Sequence, residues 1–310
     1  MKKTLVLFTN KKNYYYFDRI DYSNLCIKSL YKEKISRFEK IILKIFRKLS
    51  LPFTKLFYGD WYNNLEEYDK IIVLDATFLI DKNILRNIAY KVPKSERYFY
   101  SWNIVNNEEF YEKQRNEVDK TGFKYYSYDL GNCRKYNMKF NTIMYDKSLC
   151  LQNVSCETDA IFLGFVKDRQ DKMLSLYKIM SDVELKPRFV VVNSSEKDCN
   201  MPFEYRDSYV NYYEYLDMIN SSKAIIDIAQ ECQDGYSMRV MEAIFFNKKL
   251  ITTNVAVKNA DFYNANNILV IELGKTTKDE ITEFFAKEFC PYSVDIREYY
   301  SIESWVERFE

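Results

Sequence analysis

Histidine is absent from all 310 residues, and that absence excludes whole classes of chemistry. A Ser-His-Asp triad, a Cys-His protease and a His-ligated metal centre all need an imidazole. Acid–base work is left to Asp, Glu, Lys, Tyr or the substrate itself. Asp-x-Asp, the usual carboxylate clamp for a metal-bound nucleoside diphosphate, is also missing. Phosphate charge is therefore expected to meet backbone amides and Lys or Arg, with no metal and no cofactor. The seven cysteines are odd in number and form no C-x-x-C pair, so buried, reduced thiols in a cytosolic protein are expected instead of a zinc or redox site. No apolar run approaches the ~20 residues that cross a bilayer. The run at residues 4–8 is too short for a signal-peptide core, no small-residue cleavage site follows it, and it reads as a first strand. A formal charge of +1 supplies no global field for nucleic acid, which is not expected as a partner.

What is present is a globular composition, 47% apolar and 29% charged, in a chain long enough for two domains. Short β-rich runs alternate with longer amphipathic ones, the pattern of βαβ units and a largely parallel sheet. In the first half, strands are expected at residues 4–8, 71–74, 98–102, 124–128 and 142–145, and helices at 22–31, 35–49, 82–89 and 108–118. The second half predicts strands at 160–163, 189–192, 224–228, 250–253 and 268–271, with helices at 171–181, 212–220, 238–246 and 279–286. Its strands are continuous apolar runs, as expected where both faces are covered. The polar stretch 152–159 divides the chain into expected domains 1–155 and 156–310, closed by a terminal helix over 300–309 that Ser301 opens.

One strand–turn–helix run carries chemistry. The apolar strand Ala224-Ile225-Ile226-Asp227-Ile228 leads into a polar loop, and a helix starts near Ser237 and runs through Arg239 and Glu242 to Phe246, with Asn247 as a left-handed cap. Free N–H groups and the dipole at a helix N-terminus suit an anion. Gly235 allows close backbone approach, Ser237 can cap the helix or bond a phosphate oxygen, and Arg239 in the first turn opposes the dipole unless an anion compensates it. Glu242, one turn on, can accept hydrogen bonds from a ribose diol. The same spacing also fits an ordinary i,i+3 surface pair in a plain α/β turn.

Asp234-Gly235-Tyr236-Ser237-Met238-Arg239-Val240-Met241-Glu242-Ala243 resembles the acidic-x7-Glu segment of retaining GT-B glycosyltransferases. Asp234 and Glu242 match the two acidic positions, and Gly235-Tyr236 the turn. The sequence departs from that pattern with Asp for the first Glu, Ser237 for the second Gly and Arg239 where a small residue or Pro is usual. Residues 248–254, 261–264, 267–270 and 300–305 extend the likeness to bacterial transferases of lipopolysaccharide-core and capsule loci. The resemblance covers most of the second half and little of the first. It implies an α/β GT-B fold: two Rossmann-like domains facing across a cleft, an N-terminal acceptor domain and a C-terminal nucleotide-sugar donor domain. The implied activity moves a sugar from a nucleoside diphosphate onto a bacterial surface glycan. The implied roles are catalytic for Arg239 and Asp234, and donor-binding for Gly235, Tyr236, Ser237 and Glu242. The turn after the first strand of the second half adds Lys167 and Arg169 as diphosphate ligands, the guanidinium being better suited to two phosphate oxygens. A sugar-nucleotide epimerase of the same fold and a non-catalytic nucleotide-sugar or membrane-binding module are the alternatives.

Residues 31–55 hold eight Lys or Arg against two Glu, interleaved with Ile35, Phe38, Ile41, Ile42, Ile45, Phe46 and Leu49 at helical spacing. Such a helix either lies on the anionic inner face of the cytoplasmic membrane, which suits a lipid-linked acceptor, or faces a core with its basic side in water.

Overall fold

The structure, a computed structural model, describes residues 3–8, 20, 22–75, 82–105, 107–152, 154–166, 169–192, 200–230, 233–272 and 274–310. Two compact units emerge. One is Met1–Thr142 with Trp305–Glu310, the other Ile143–Ser304. The division thus precedes the polar stretch 152–159, and the last six residues return to the first unit.

The first unit is a parallel sheet of β1 (Thr4–Phe8), β2 (Leu25–Ser29), β3 (Lys70–Asp75), β4 (Glu96–Ser101), β5 (Lys124–Ser127) and β6 (Lys139–Phe140), in the order β2-β1-β3-β4-β5-β6. Its helices are α1 (Arg37–Lys48), α2 (Lys82–Lys91), α3 (Glu108–Lys120) and α4 (Leu130–Tyr136). β1 and β3 are apolar on both faces: Leu5, Val6, Leu7, Ile71, Ile72, Val73 and Leu74 are all fully buried. A helix was expected at residues 22–31. The chain instead forms β2, whose burial alternates because it is an edge strand, beside β1. Residues 142–145 form no strand, and only a bridge from Tyr145 to Ser301 is present there.

The second unit contains β7 (Thr158–Gly164), β8 (Pro187–Val192), β9 (Glu204–Arg206), β10 (Ser222–Asp227), β11 (Lys249–Thr252) and β12 (Ile268–Val270), all parallel, in the order β12-β11-β10-β7-β8-β9. Between and after them come α5 (Gln170–Ser181), α6 (Tyr212–Asn220), α7 (Met238–Phe245), α8 (Lys278–Ala286), α9 (Val294–Tyr299) and α10 (Ile302–Glu307). The chain winds outward from β7 to β9, then crosses to β10 on the other side of β7 and winds outward again. The gap between the carboxyl ends of β7 and β10 is therefore a topological switch point, where open α/β sheets bind ligands. Asn247 adopts the left-handed conformation expected of it, with φ 52°.

The carboxyl-terminal segment is built into the first unit by burial and by hydrogen bonds. Trp305 is fully buried and meets Tyr100 edge-on at 5.0 Å. The Lys70 ammonium donates to the carbonyls of Val306 (2.9 Å) and Phe309 (3.2 Å), and Asn141 Nδ2 to that of Trp305 (3.1 Å). Of the cysteines among the described residues, Cys133 is buried as expected, but Cys150 and Cys156 are exposed.

Candidate functional site

Three carboxyl-end residues of the second sheet frame the switch point. Gly164 ends β7, Asp227 ends β10 and Thr252 ends β11, and parallel pairing sets Asp227 beside Thr252. Asp227 is 1% exposed and accepts hydrogen bonds from Thr252 Oγ1 (2.9 Å) and Ser237 Oγ (2.8 Å). The Ser237 hydroxyl is thus spent on Asp227. Ser237 occupies the N-cap of α7 but makes no side-chain capping bond there, so the expected cap does not form.

Arg239, in the first turn of α7, lies with its guanidinium 5.2 Å from the centre of the Phe162 ring and 3.7 Å from Asp227. One terminal nitrogen donates to the Leu163 carbonyl, while Nε is buried with no hydrogen-bond partner. Arg169 approaches the same ring, 5.4 Å from its centre. It stands at the N-cap of α5, 7% exposed, and donates to the carbonyls of Phe165 and Ile228. Gly164 separates the two cations. A Cβ there would stand 2.8 Å from Arg239 Nη2, so any side chain would displace the Arg239 guanidinium, whereas its 3.5 Å from Arg169 Nη2 is ordinary contact. The sequence-predicted Arg169 and Arg239 are therefore brought together, from turns 70 residues apart.

Two cations beside one ring repel, and Asp227 offsets only part of their charge. Glu242, the other nearby carboxylate, is 2% exposed, and burial pushes its carboxyl up to about 7 despite the opposing influence of Arg239 and its two tyrosine partners. Near neutrality it carries a reduced negative charge, and the cluster keeps a cationic surplus.

Glu242 itself accepts from the hydroxyls of Tyr212 and Tyr215, each at 3.0 Å, and Tyr212 is also bonded to Tyr145. Both carboxylate oxygens thus tie α7 to α6 from beneath. Asp234 is exposed on the loop before α7. The Gly235 carbonyl accepts from Gln233 Nε2 (2.9 Å) and Asn254 Nδ2 (3.1 Å), which fixes the loop to the end of β11. Tyr236 packs edge-on against Phe262 at 5.1 Å, and burial raises its hydroxyl above the usual phenol range. Lys167 lies outside the described residues.

Phe162, Asp227, Thr252, Asn254, Tyr212 and Tyr215 were not singled out from the sequence. A lone carboxylate closing the apolar run Ala224-Ile225-Ile226-Asp227 was the available signal for Asp227. Thr252 and Asn254 lie in the segment 248–254 that carries the resemblance and Tyr212 in a tyrosine pair, whereas Phe162 and Tyr215 have no signal outside the fold.

No protein-family model and no curated protein sequence matches the chain. Solved structures do. One is an alpha-glucosyltransferase in complex with UDP and a 13-mer DNA containing a central A:G mismatch, with TM-score 0.53 and 11% identity, covering 99% of this chain and 93% of that one. Another is an alpha-glucosyltransferase in complex with UDP-glucose and DNA containing an abasic site, with TM-score 0.54 and 11% identity, covering 99% of this chain and 92% of that one. The chain has the GT-B fold. Within this GT-B chain the cationic cluster occupies the switch point of the second Rossmann-like sheet, the half in which the sequence resemblance to a donor site lies. An identity of 11% carries the fold, and donor and acceptor rest on the chain's own residues.

Proposed function

We propose that the protein is a glycosyltransferase that takes a sugar from a nucleoside diphosphate and passes it to a bacterial surface glycan of the lipopolysaccharide or capsule type. The observation that carries this reading is the convergence of Arg169 and Arg239 on Gly164 at the β7–β10 switch point. Cleavage of a sugar–phosphate bond places charge on the departing diphosphate and oxocarbenium character on the sugar. Arg239, with a buried Nε unpaired and its terminal nitrogen beside Gly164, is assigned to the charge that develops as the bond breaks. Arg169, anchored on two carbonyls, is assigned to the resting diphosphate. Lys167 is a further diphosphate ligand in this reading.

Asp234 is assigned a catalytic role beside the sugar, and Gly235, Tyr236 and Ser237 the wall of the donor site. A ribose contact from Glu242 has a condition attached, since a diol must share a carboxylate already held by Tyr212 and Tyr215. With Arg and the helix N-terminus facing the diphosphate, the reading needs neither metal nor cofactor. A leaving phosphate that takes the acceptor proton would also need no histidine. The acceptor class rests on the sequence resemblance alone, as does a place on the cytoplasmic side of the membrane.

The test is a thermal-shift screen of UDP, GDP, dTDP, CMP and their sugars, followed by donor turnover with and without lipid-linked glycan. A ligand at 100 times its Kd stabilises the fold by about 2.7 kcal/mol. The expected result is a shift with one nucleotide class, reduced in Arg169→Ala. No shift with any nucleotide sinks the donor site. Conversion of the sugar nucleotide to an epimer without any acceptor assigns the site to an epimerase.

A further inference from the structure

α1 carries more apolar surface than its unit covers. Leu43 is buried, and Ile35, Ile42 and Phe46 pack against the first unit's core. On the outer side Phe38, Ile41, Ile45 and Leu49 are 70%, 58%, 47% and 61% exposed. Steps of three and four residues hold these four on one stripe. The 3-10 turn that follows, Pro52–Phe57, prolongs it with Phe53 and Leu56, both more than half exposed. Single exposed apolar residues are ordinary, whereas a contiguous stripe marks an interaction surface.

The flank of the stripe chooses the partner. Lys34, Arg37, Lys40, Lys44 and Lys48 are all exposed, and among the described residues none of them forms an ion pair. Glu39, one of two acidic residues in this stretch, is spent on the capping box with Ser36 that starts the helix. Two copies meeting stripe to stripe in a two-fold interface would press these unpaired cations together, which argues against self-association. A helix face of exposed apolar side chains flanked by lysines suits a deformable apolar medium with an anionic border. No helix among the described residues is long and apolar enough to cross a membrane, and twelve residues of α1 span only about 18 Å.

We propose that α1 and the turn after it lie flat on an anionic lipid surface, with Phe38, Ile41, Ile45, Leu49, Phe53 and Leu56 entering the acyl boundary and the lysines meeting the headgroups. This docking surface stands on α1 alone and does not depend on the transferase reading.

The experiment is flotation of the full chain with vesicles of phosphatidylcholine alone or mixed with phosphatidylglycerol. Binding is expected only with the anionic lipid, weakening as salt rises. Each of Lys40→Gln and Lys44→Gln should lower partitioning about fivefold. Combined replacement of Phe38, Ile41, Ile45 and Leu49 by Ser should abolish flotation while lowering thermal stability only modestly, because each of these side chains is about half exposed or more. If that variant misfolds, Phe53→Trp serves instead, with blue-shifted emission and quenching by brominated lipid expected on anionic vesicles. Absence of flotation with anionic vesicles overturns the proposal. So does flotation undiminished by the serines, an indole emission in Phe53→Trp that vesicles leave unchanged, or a dimer in light scattering that the serine variant dissolves.

Discussion

The two units share one architecture, a six-stranded parallel sheet, but they bury charge for different ends. In the first, the Lys70 ammonium is closed off by the carbonyls of Val306 and Phe309, and Tyr126 bonds the last residue. Those donors and acceptors complete one another, and the result is a clasp on the carboxyl terminus. The second unit has a similar clasp in Lys249, which donates to the carbonyls of Phe284 and Lys287. Beyond it, Arg169, Arg239, Asp227 and Glu242 crowd the switch point with the cations in surplus. Arg169 is held by carbonyls as Lys70 is. What sets the second unit apart is that its two guanidinium groups share one ring beside a single buried Asp and a Glu whose carboxyl burial pushes up.

The sharpest way to break this comparison is Trp305→Ala. It opens a cavity in the first unit's core and should cost about 3–5 kcal/mol in chemical denaturation, while nucleotide binding at intact second-unit residues persists. A loss below about 1 kcal/mol would detach the terminus from that core. Arg239→Ala comes next. It should lower turnover roughly 10²–10³-fold with a smaller change in donor affinity, since its charge counts most as the bond breaks. Normal turnover would make Arg239 a structural residue.

Glu242→Gln probes the same cluster through pH. Burial raises the folded carboxyl from an ordinary value of 4.5 to about 7. The folded chain then holds a proton that the unfolded chain releases. The associated stability is fully present below the unfolded value and is lost as pH rises through about 7. The wild type should lose on the order of 3 kcal/mol over that window, and the glutamine variant should lose less. Equal pH profiles from denaturant melts would remove Glu242 as the titrating group. The smallest effect belongs to Lys70→Met, which leaves two carbonyls without their donor at about 1–2 kcal/mol. No loss in a denaturant melt would mean that water replaces the ammonium.

Much of the fold was legible in the sequence, and the strands that were not share a cause. β7, β8, β10 and β11 were found because both faces are covered and their residues form unbroken apolar runs. β2 and β9 sit at sheet edges, where burial is partial and the period ambiguous. Leu25-Cys26-Ile27 suits a helix as well as a strand until β1 is beside it. α4 was passed over even though Asp129 caps its start and Asn137, at φ 51°, ends it, because seven residues give too short a period to register. In the candidate site, Arg169 and Arg239 stood out as charges at turns after strands. Tyr212 lay in a tyrosine-rich stretch and carried no weight until Glu242 was found against it.

The sequence by itself determined the chemistry excluded by the lack of histidine, the alternation that forces parallel α/β units, and the residue types at one strand–turn–helix junction. Those are local properties, written in side-chain identity and spacing. Only the tertiary structure decided that β7 and β10 are neighbours, and so that Arg169 and Arg239 meet over Phe162 beside Gly164. It also decided which apolar face of α1 is covered. Strand order and burial come from the competition of many distant surfaces for the same core, and no window of sequence contains that competition.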